Sequence, residues 1–459
     1  MAVSHRITGG ACVTALVSSA MLVLAANADA EELIFKPGEG AFNWLSYNDF
    51  AATHDYSGTQ LTITAAGTGK DGERYANAFK YFAAATGADV RYSGSDSFEN
   101  DIVISIQAGS PPDLALFPQP GLAKDLAKRG RLSPLGPETR AWIDQNYAAG
   151  KSWSNLATYE NSDGETGLYG LFYGASVKSI VWYSPEVFEE FGYSVPTSME
   201  DLKALTEQIV ADGMTPWCIG LGAGAATGWP ATDWVEDMML RTQTPDIYDK
   251  WVANDIPFND PRVIEAINEY GWFARNDSFV SGGTKASITT DFRDSPNGLF
   301  SFPPKCLMHK QSSFVSIFFP KGTEVGTDAD FFYFPSYASK DLGQPVLGAG
   351  AMVAITKDSE VARGLIEFLK TPIAHEVMMA QGQFQTPFLG ANPDLYMNET
   401  ERKLGKILVD ATTFRFDGSD LMPGEIGTSA FWTGMVDYTA GEDAETVATK
   451  IQQRWDTIK

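Results

Sequence analysis

From residue 61 onward short apolar runs alternate with amphipathic ones, and the two periods separate strands from helices. Leu61-Thr62-Ile63-Thr64 alternates as a strand does. Tyr75, Phe79, Phe82 and Ala83 then recur at helical spacing until Gly87 stops the helix. Ala88 to Tyr92 predicts a second strand and about Asp96 to Gln107 a second helix. Pro112 to Phe117 is a continuous apolar strand of the kind a parallel sheet buries on both faces. This β-α-β order places the chain in the α/β class.

A second such unit begins at Ser179-Ile180-Val181-Trp182-Tyr183. Thr197 and Glu200 read as a capping box for a helix ending at Gly213, and a strand over 217–221 follows. Gly220 to Gly228 reads as a glycine-rich loop leading through Trp229-Pro230 to Asp233, Trp234, Glu236 and Asp237. Strands are predicted over 331–334 and 351–356, and helices over 360–370 and 442–455. No internal repeat, low-complexity tract or interdomain linker breaks the pattern, which suits two lobes exchanging strands across a hinge.

The first thirty residues differ. Arg6, an apolar run from Ala11 to Ala26 and Ala28-Asp29-Ala30 have the form of a signal peptide, predicting a chain that starts at Glu31 and is exported to the periplasm. The run is shorter than the ~20 residues that span a bilayer. Cys12 precedes most of it, which argues against a lipid anchor. Removing the leader leaves 429 of 459 residues, enough for two domains. With 58 acidic against 34 basic side chains the formal charge is −24, a surface that repels nucleic acid and anionic lipid. Cys218 and Cys306 remain after export as a candidate disulfide, with two buried free thiols as the alternative.

Thr197-Ser198-Met199-Glu200-Asp201-Leu202, Gly348 to Ile355, and Leu421-Met422-Pro423 leading to Ser429-Ala430-Phe431-Trp432 resemble segments of the family 1 extracellular solute-binding proteins. Phe117 to Gly121 and Gly228 to Trp234 are similar to its α-glucoside-binding rhizobial subgroup. The resemblance implies a two-lobed periplasmic binding protein fold whose lobes close about a hinge, and a binder instead of an enzyme. It implies an N-lobe of residues 31–174 plus 332–375 and a C-lobe of 175–331 plus 376–459. It further implies the receptor of an ABC importer for α-glucosides of the maltose, sucrose and trehalose class, a monomer whose partner is a membrane permease, with no cofactor.

By position, the resemblance puts Thr68, Lys70 and Asp71 at the cleft where the first helix starts. Phe117 and Gln119 follow a strand end that supplies an aromatic and a polar contact, and Trp432 matches a stacking tryptophan. Where maltose-binding protein has a tryptophan, this chain reads His309-Lys310-Gln311-Ser312, which favours a compact disaccharide held by amides and hydroxyls; Gln311 of this segment and Gly350 of the Gly348–Ile355 motif join the candidates. A sugar needs flat aromatics for its C–H faces and polar groups for its hydroxyl edges. Trp229 and Asp233 fit those roles, with a helix N-cap as the alternative for Asp233. Tyr173 and Lys178 flank the first crossover, to contact ligand or order the hinge.

Rival classes are weaker. Asp233 and Glu236 share a helical face as a glycosidase pair would not, since such carboxyls face each other across a cleft. Gly220 to Ala225 approximates a dinucleotide motif but runs into Trp229-Pro230. His54, His309 and His375 are scattered, so no metal site is expected. A glycerol phosphate receptor would want clustered cations and a polyamine receptor carboxylates with aromatics.

Overall fold

The computed structural model describes Met1 and residues 33–458 apart from Thr412; the predicted cleavage site lies outside the described residues. Strand Gln60–Ala65 pairs in parallel with Asp89–Gly94 on one side and Leu114–Phe117 on the other. Val346–Ile355 adds antiparallel to Leu114–Phe117, and itself carries Leu171–Val177 and Phe414–Phe416. Between the first two strands runs the helix Gly69–Thr86, ended by Gly87 at φ 73°, a left-handed conformation that glycine adopts without steric cost. A second, antiparallel sheet sets Ile180–Tyr183 between Met308–Lys310 and Asp330–Tyr333.

Each sheet organises its own core. Leu61, Ile63, Phe79, Phe82, Leu116, Phe172 and Val353 belong to one, Trp217, Trp234, Met238, Ile267, Phe273 and Met435 to the other. The chain passes from the first sheet to the second at Lys178-Ser179, returns between Tyr333 and Val346, and leaves again between Phe416 and Met422. Part of the segment assigned from sequence to the C-lobe packs elsewhere: Val377, Phe384, Leu404 and Phe416 lie in the first core. The reason is that helix Pro372–Ala380 packs on Gly69–Thr86, and helix Glu399–Asp410 on strand Leu171–Val177. Phe332 and Phe334, assigned to the N-lobe, lie in the second core because their strand pairs with Ile180–Tyr183.

Three local readings change. The helix Met199–Ala211 is capped by Ser198, whose hydroxyl accepts from the Asp201 amide at 3.0 Å; Thr197 donates instead to the Asp201 carboxylate, and Glu200 binds the Ala338 amide. Residues 217–221 make isolated bridges to Val280 and Met308, not a strand. The helix Trp229–Thr242 starts at Trp229 itself, with Pro230 in its first turn, where the missing N–H costs nothing. Cys218 and Cys306 are disulfide-bonded, with Cα atoms 5.3 Å apart, joining segments 88 residues distant.

Candidate functional site

A cavity of about 250 Å³ lies between the two cores. Ligands in open α/β sheets bind beyond the carboxyl ends of the strands, and two of its walls arise in this way. Ala65 to Thr68 follow the first strand, and Pro118-Gln119 follow Leu114–Phe117. The helix after Thr68 brings Asp71, Arg74 and Tyr75 to the same wall. Gly67 lets the Asp71 carboxylate come close: a Cβ there would stand 2.7 Å from Oδ2, so a larger residue would displace that side chain. The facing wall comes from Trp229, Phe292, Phe314, Phe318 and Trp432. Trp229 meets Phe292 edge-on at 5.0 Å between centroids. Gly228, at φ 112°, lets the two tryptophan helices approach: a Cβ would stand 2.3 Å from the Trp432 carbonyl oxygen.

Of the residues singled out from sequence, Thr68, Asp71, Gln119, Lys178, Trp229, Gly350 and Trp432 line this cavity. Five others do not. Lys70 is exposed, with its ammonium 3.3 Å from the Ile317 carbonyl. Phe117 points into the first core against Phe98, as alternation along a doubly buried strand requires. Tyr173 is likewise core, donating its hydroxyl to the Ala374 carbonyl. Asp233 caps nothing; it is buried mid-helix behind Lys178. Gln311 is buried, its amide oxygen taken by the Ser312 N–H.

Sequence reasoning missed Arg74, Asp96, Glu99, Arg293, Asp417 and Asp420, all at the cavity. Arg293 reaches across to Asp96 at 2.6 Å, and Asp96 also accepts from the Thr68 hydroxyl at 3.0 Å. Arg74 lies 3.4 Å from Asp71 and donates to the Gln383 carbonyl. Burial raises the pKa of Asp71, while Arg74 and Arg293 oppose the rise. Gln119 donates to Glu99 at 2.8 Å, and its own oxygen has no hydrogen-bond partner among the described residues; nor does the Trp432 indole nitrogen.

The floor is ionic. Lys178 lies 2.7 Å from Asp233, ion-pairs Asp417 as well, and stands 5.3 Å from the Trp229 ring centroid. Burial by itself would lower its pKa, but Asp233 and Asp417 hold it well above the ordinary lysine value. Burial pushes Asp233 up to about 7 and Glu236 and Asp420 well above the carboxylate range, whereas for Asp417 burial is outweighed by the charge of Lys178 together with hydrogen bonds from Glu236, Lys178 and the Asp420 amide, and its pKa is lowered. Asp233, Glu236 and Asp417 bring carboxylate oxygens within 4.8 Å of one another, a spacing that suits a metal. Lys178 already supplies the cation there.

Two α/β lobes linked by three crossovers, with an aromatic wall facing a polar one, define a binding protein of the two-lobed class. The chain belongs to the bacterial extracellular solute-binding protein family, whose model matches residues 66–376. It is 59% identical over 432 residues, 94% of each chain, to the alpha-glucosides-binding periplasmic protein AglE of Rhizobium meliloti. It is 41% identical over 396 residues to the osmoprotective compounds-binding protein GgtB of Synechocystis, covering 86% of this chain and 92% of that one. Among solved structures it resembles the bacterial solute receptor AcbH (TM-score 0.74, 19% identity, 87% of this chain and 99% of that one). A chitin oligosaccharide binding protein gives TM-score 0.72 at 15% identity, over 87% and 98% of the two chains. At such identities the solved structures speak for the fold alone.

Proposed function

We propose that this chain is the periplasmic receptor of an ABC importer and that its ligand is an α-glucoside of disaccharide size. The observation that carries this reading is the pairing of Trp229 and Trp432 with Asp71, Gln119 and Asp420 around one cavity. Flat rings match the C–H faces of a pyranose and the polar groups match its hydroxyls. The identity to AglE, named for α-glucosides, supports it. So does the volume of about 250 Å³, just below the roughly 300–1,000 Å³ of small-molecule sites, which suits a compact sugar over an extended glucan.

The rival ligands fit less well. Arg74, Lys178 and Arg293 are each engaged by a carboxylate, leaving no clustered free cations for a phosphate. By the same pairing Asp71, Asp96 and Asp417 are taken, which leaves a polyamine few free carboxylates. A glycosidase pair is disfavoured because Glu236 is fully buried and accepts from the Ser419 amide, while Asp233 is tied to Lys178.

In this reading the lobe built on the first sheet comprises residues 33–177 and 346–416, and the other lobe the remainder; both close over sugar and are presented to a permease. The protein acts as a monomer after export and loss of residues 1–30. Thermal unfolding with maltose, sucrose, trehalose, glycerol 3-phosphate and putrescine tests it, since a ligand that binds only the native state raises the midpoint. A rise with an α-glucoside that is recovered intact is expected. A rise only with glycerol phosphate or putrescine, or cleavage of the sugar, would overturn the reading.

A further inference from the structure

The cavity holds eight charged side chains, and six of them form cation–carboxylate pairs: Asp71 with Arg74, Asp96 with Arg293, and Asp417 with Lys178. Among the described residues, Glu99 and Asp420 have no ion-pair partner. Glu99 sits in the first turn of helix Phe98–Gln107, its carboxylate fixed by the Gln119 amide at 2.8 Å. Asp420 belongs to the short helix Gly418–Leu421, which packs on helix Pro120–Lys128 headed by Gln119. Both residues line the same cavity.

Asp420 is 7% exposed and lines the cavity, and its carboxyl makes no hydrogen bond to any described residue. Gln119 is 4% exposed, with its amide oxygen equally unmatched. Buried polar atoms normally have partners, so the Gln119 oxygen points to a hydrogen-bonding ligand in the cavity that Asp420 also faces.

We propose that Glu99 and Asp420 are the specificity-determining pair of the cleft, binding neighbouring hydroxyls of one neutral sugar ring, with Gln119 positioning Glu99. The inference rests on the sugar-receptor reading above and adds to it the residues that read the hydroxyl pattern. Hydroxyls are favoured over an ammonium group because Lys178, already a cation, lines the same cavity as Asp420.

The test is titration calorimetry of the chain from Glu31 with maltose, sucrose and trehalose, then with monodeoxy analogues of whichever binds. Wild type, Glu99→Ala, Asp420→Ala and the near-isosteric Asp420→Asn are compared, with the unfolding midpoint of each as a check of the fold. Each alanine variant is expected to lose about ten- to hundredfold in affinity for the parent sugar. For the analogue lacking the matching hydroxyl, wild type and variant should bind alike, because the contact is already gone. Sugar binding by wild type with unchanged affinity in all variants, or equal losses for parent and every analogue, overturns the pair but leaves the receptor reading standing. Failure of wild type to bind any of the three sugars overturns both.

Discussion

Lys178 and Asp417, residues of two different crossovers between the lobes, form a buried ion pair beneath the cavity. Asp233, on helix Trp229–Thr242, holds the same ammonium from the second lobe. One cation therefore fastens two crossover segments to a helix and lines the cavity as well. Its mutual neutralisation with the carboxylates is what makes so many buried charges tolerable.

Lys178→Met should cost about 3–5 kcal/mol of folding stability, because it strands carboxylates that burial already disfavours in charged form. Urea unfolding at neutral pH measures this. A variant as stable as wild type would show that Asp233 and Asp417 do not depend on the lysine.

Trp432 is buried yet belongs to neither apolar core, and its indole nitrogen has no hydrogen-bond partner among the described residues. Trp432→Ala is therefore expected to weaken sugar binding by an order of magnitude or more while leaving the ligand-free unfolding midpoint within a few degrees of wild type. Unchanged affinity in calorimetry would remove Trp432 from the site.

Arg293 and Asp96 join residues on opposite walls of the cavity at 2.6 Å, both partly exposed. Such pairs contribute about 0–1 kcal/mol to stability, so Arg293→Ala should barely move urea unfolding. Its effect should appear in the closed geometry: a larger radius of gyration by small-angle X-ray scattering and weaker sugar binding. Scattering identical to wild type with and without sugar would argue that the pair does not hold the lobes together.

Glu401 gives a pH signature. Burial pushes its carboxyl up to about 7 from an ordinary 4.5; Gln385 donates to one oxygen at 2.7 Å and the other has no hydrogen-bond partner among the described residues. Between those two pH values the folded chain keeps a proton that the unfolded chain releases, so stability should fall as pH rises through the window and level off above about 7. Glu401→Gln should remove this slope, gaining up to about 3 kcal/mol on wild type at pH 8 and little at pH 4. Parallel stability curves for the two proteins would show that the carboxyl is not raised.

Local pattern was enough to set much of the architecture. Helical spacing with a glycine stop marked the helix after the first strand, and the apolar run before Gln119 marked the central parallel strand. The motifs around Thr68, Trp229 and Trp432 led to true walls of the cavity, because residues just beyond strand ends and at helix starts are placed by their own element. Sequence also selected Cys218 and Cys306 as the pair to consider, without choosing between bond and free thiols.

Tertiary structure decided what depends on distant partners. Phe117 turns into the core because its strand neighbour Leu116 takes the cavity face, while Gln119 reaches the cavity only because the chain turns beyond the strand end; whether Asp233 meets ligand or lysine turns on Lys178, 55 residues away. The return of residues 376–416 to the first core follows from helix packing that no local signal records. Arg293, Asp417 and Asp420 carry no motif of their own; they become a site only because three crossovers bring separate segments together around one cavity. Sequence thus determined the elements and the class of protein, while folding alone determined which charges meet.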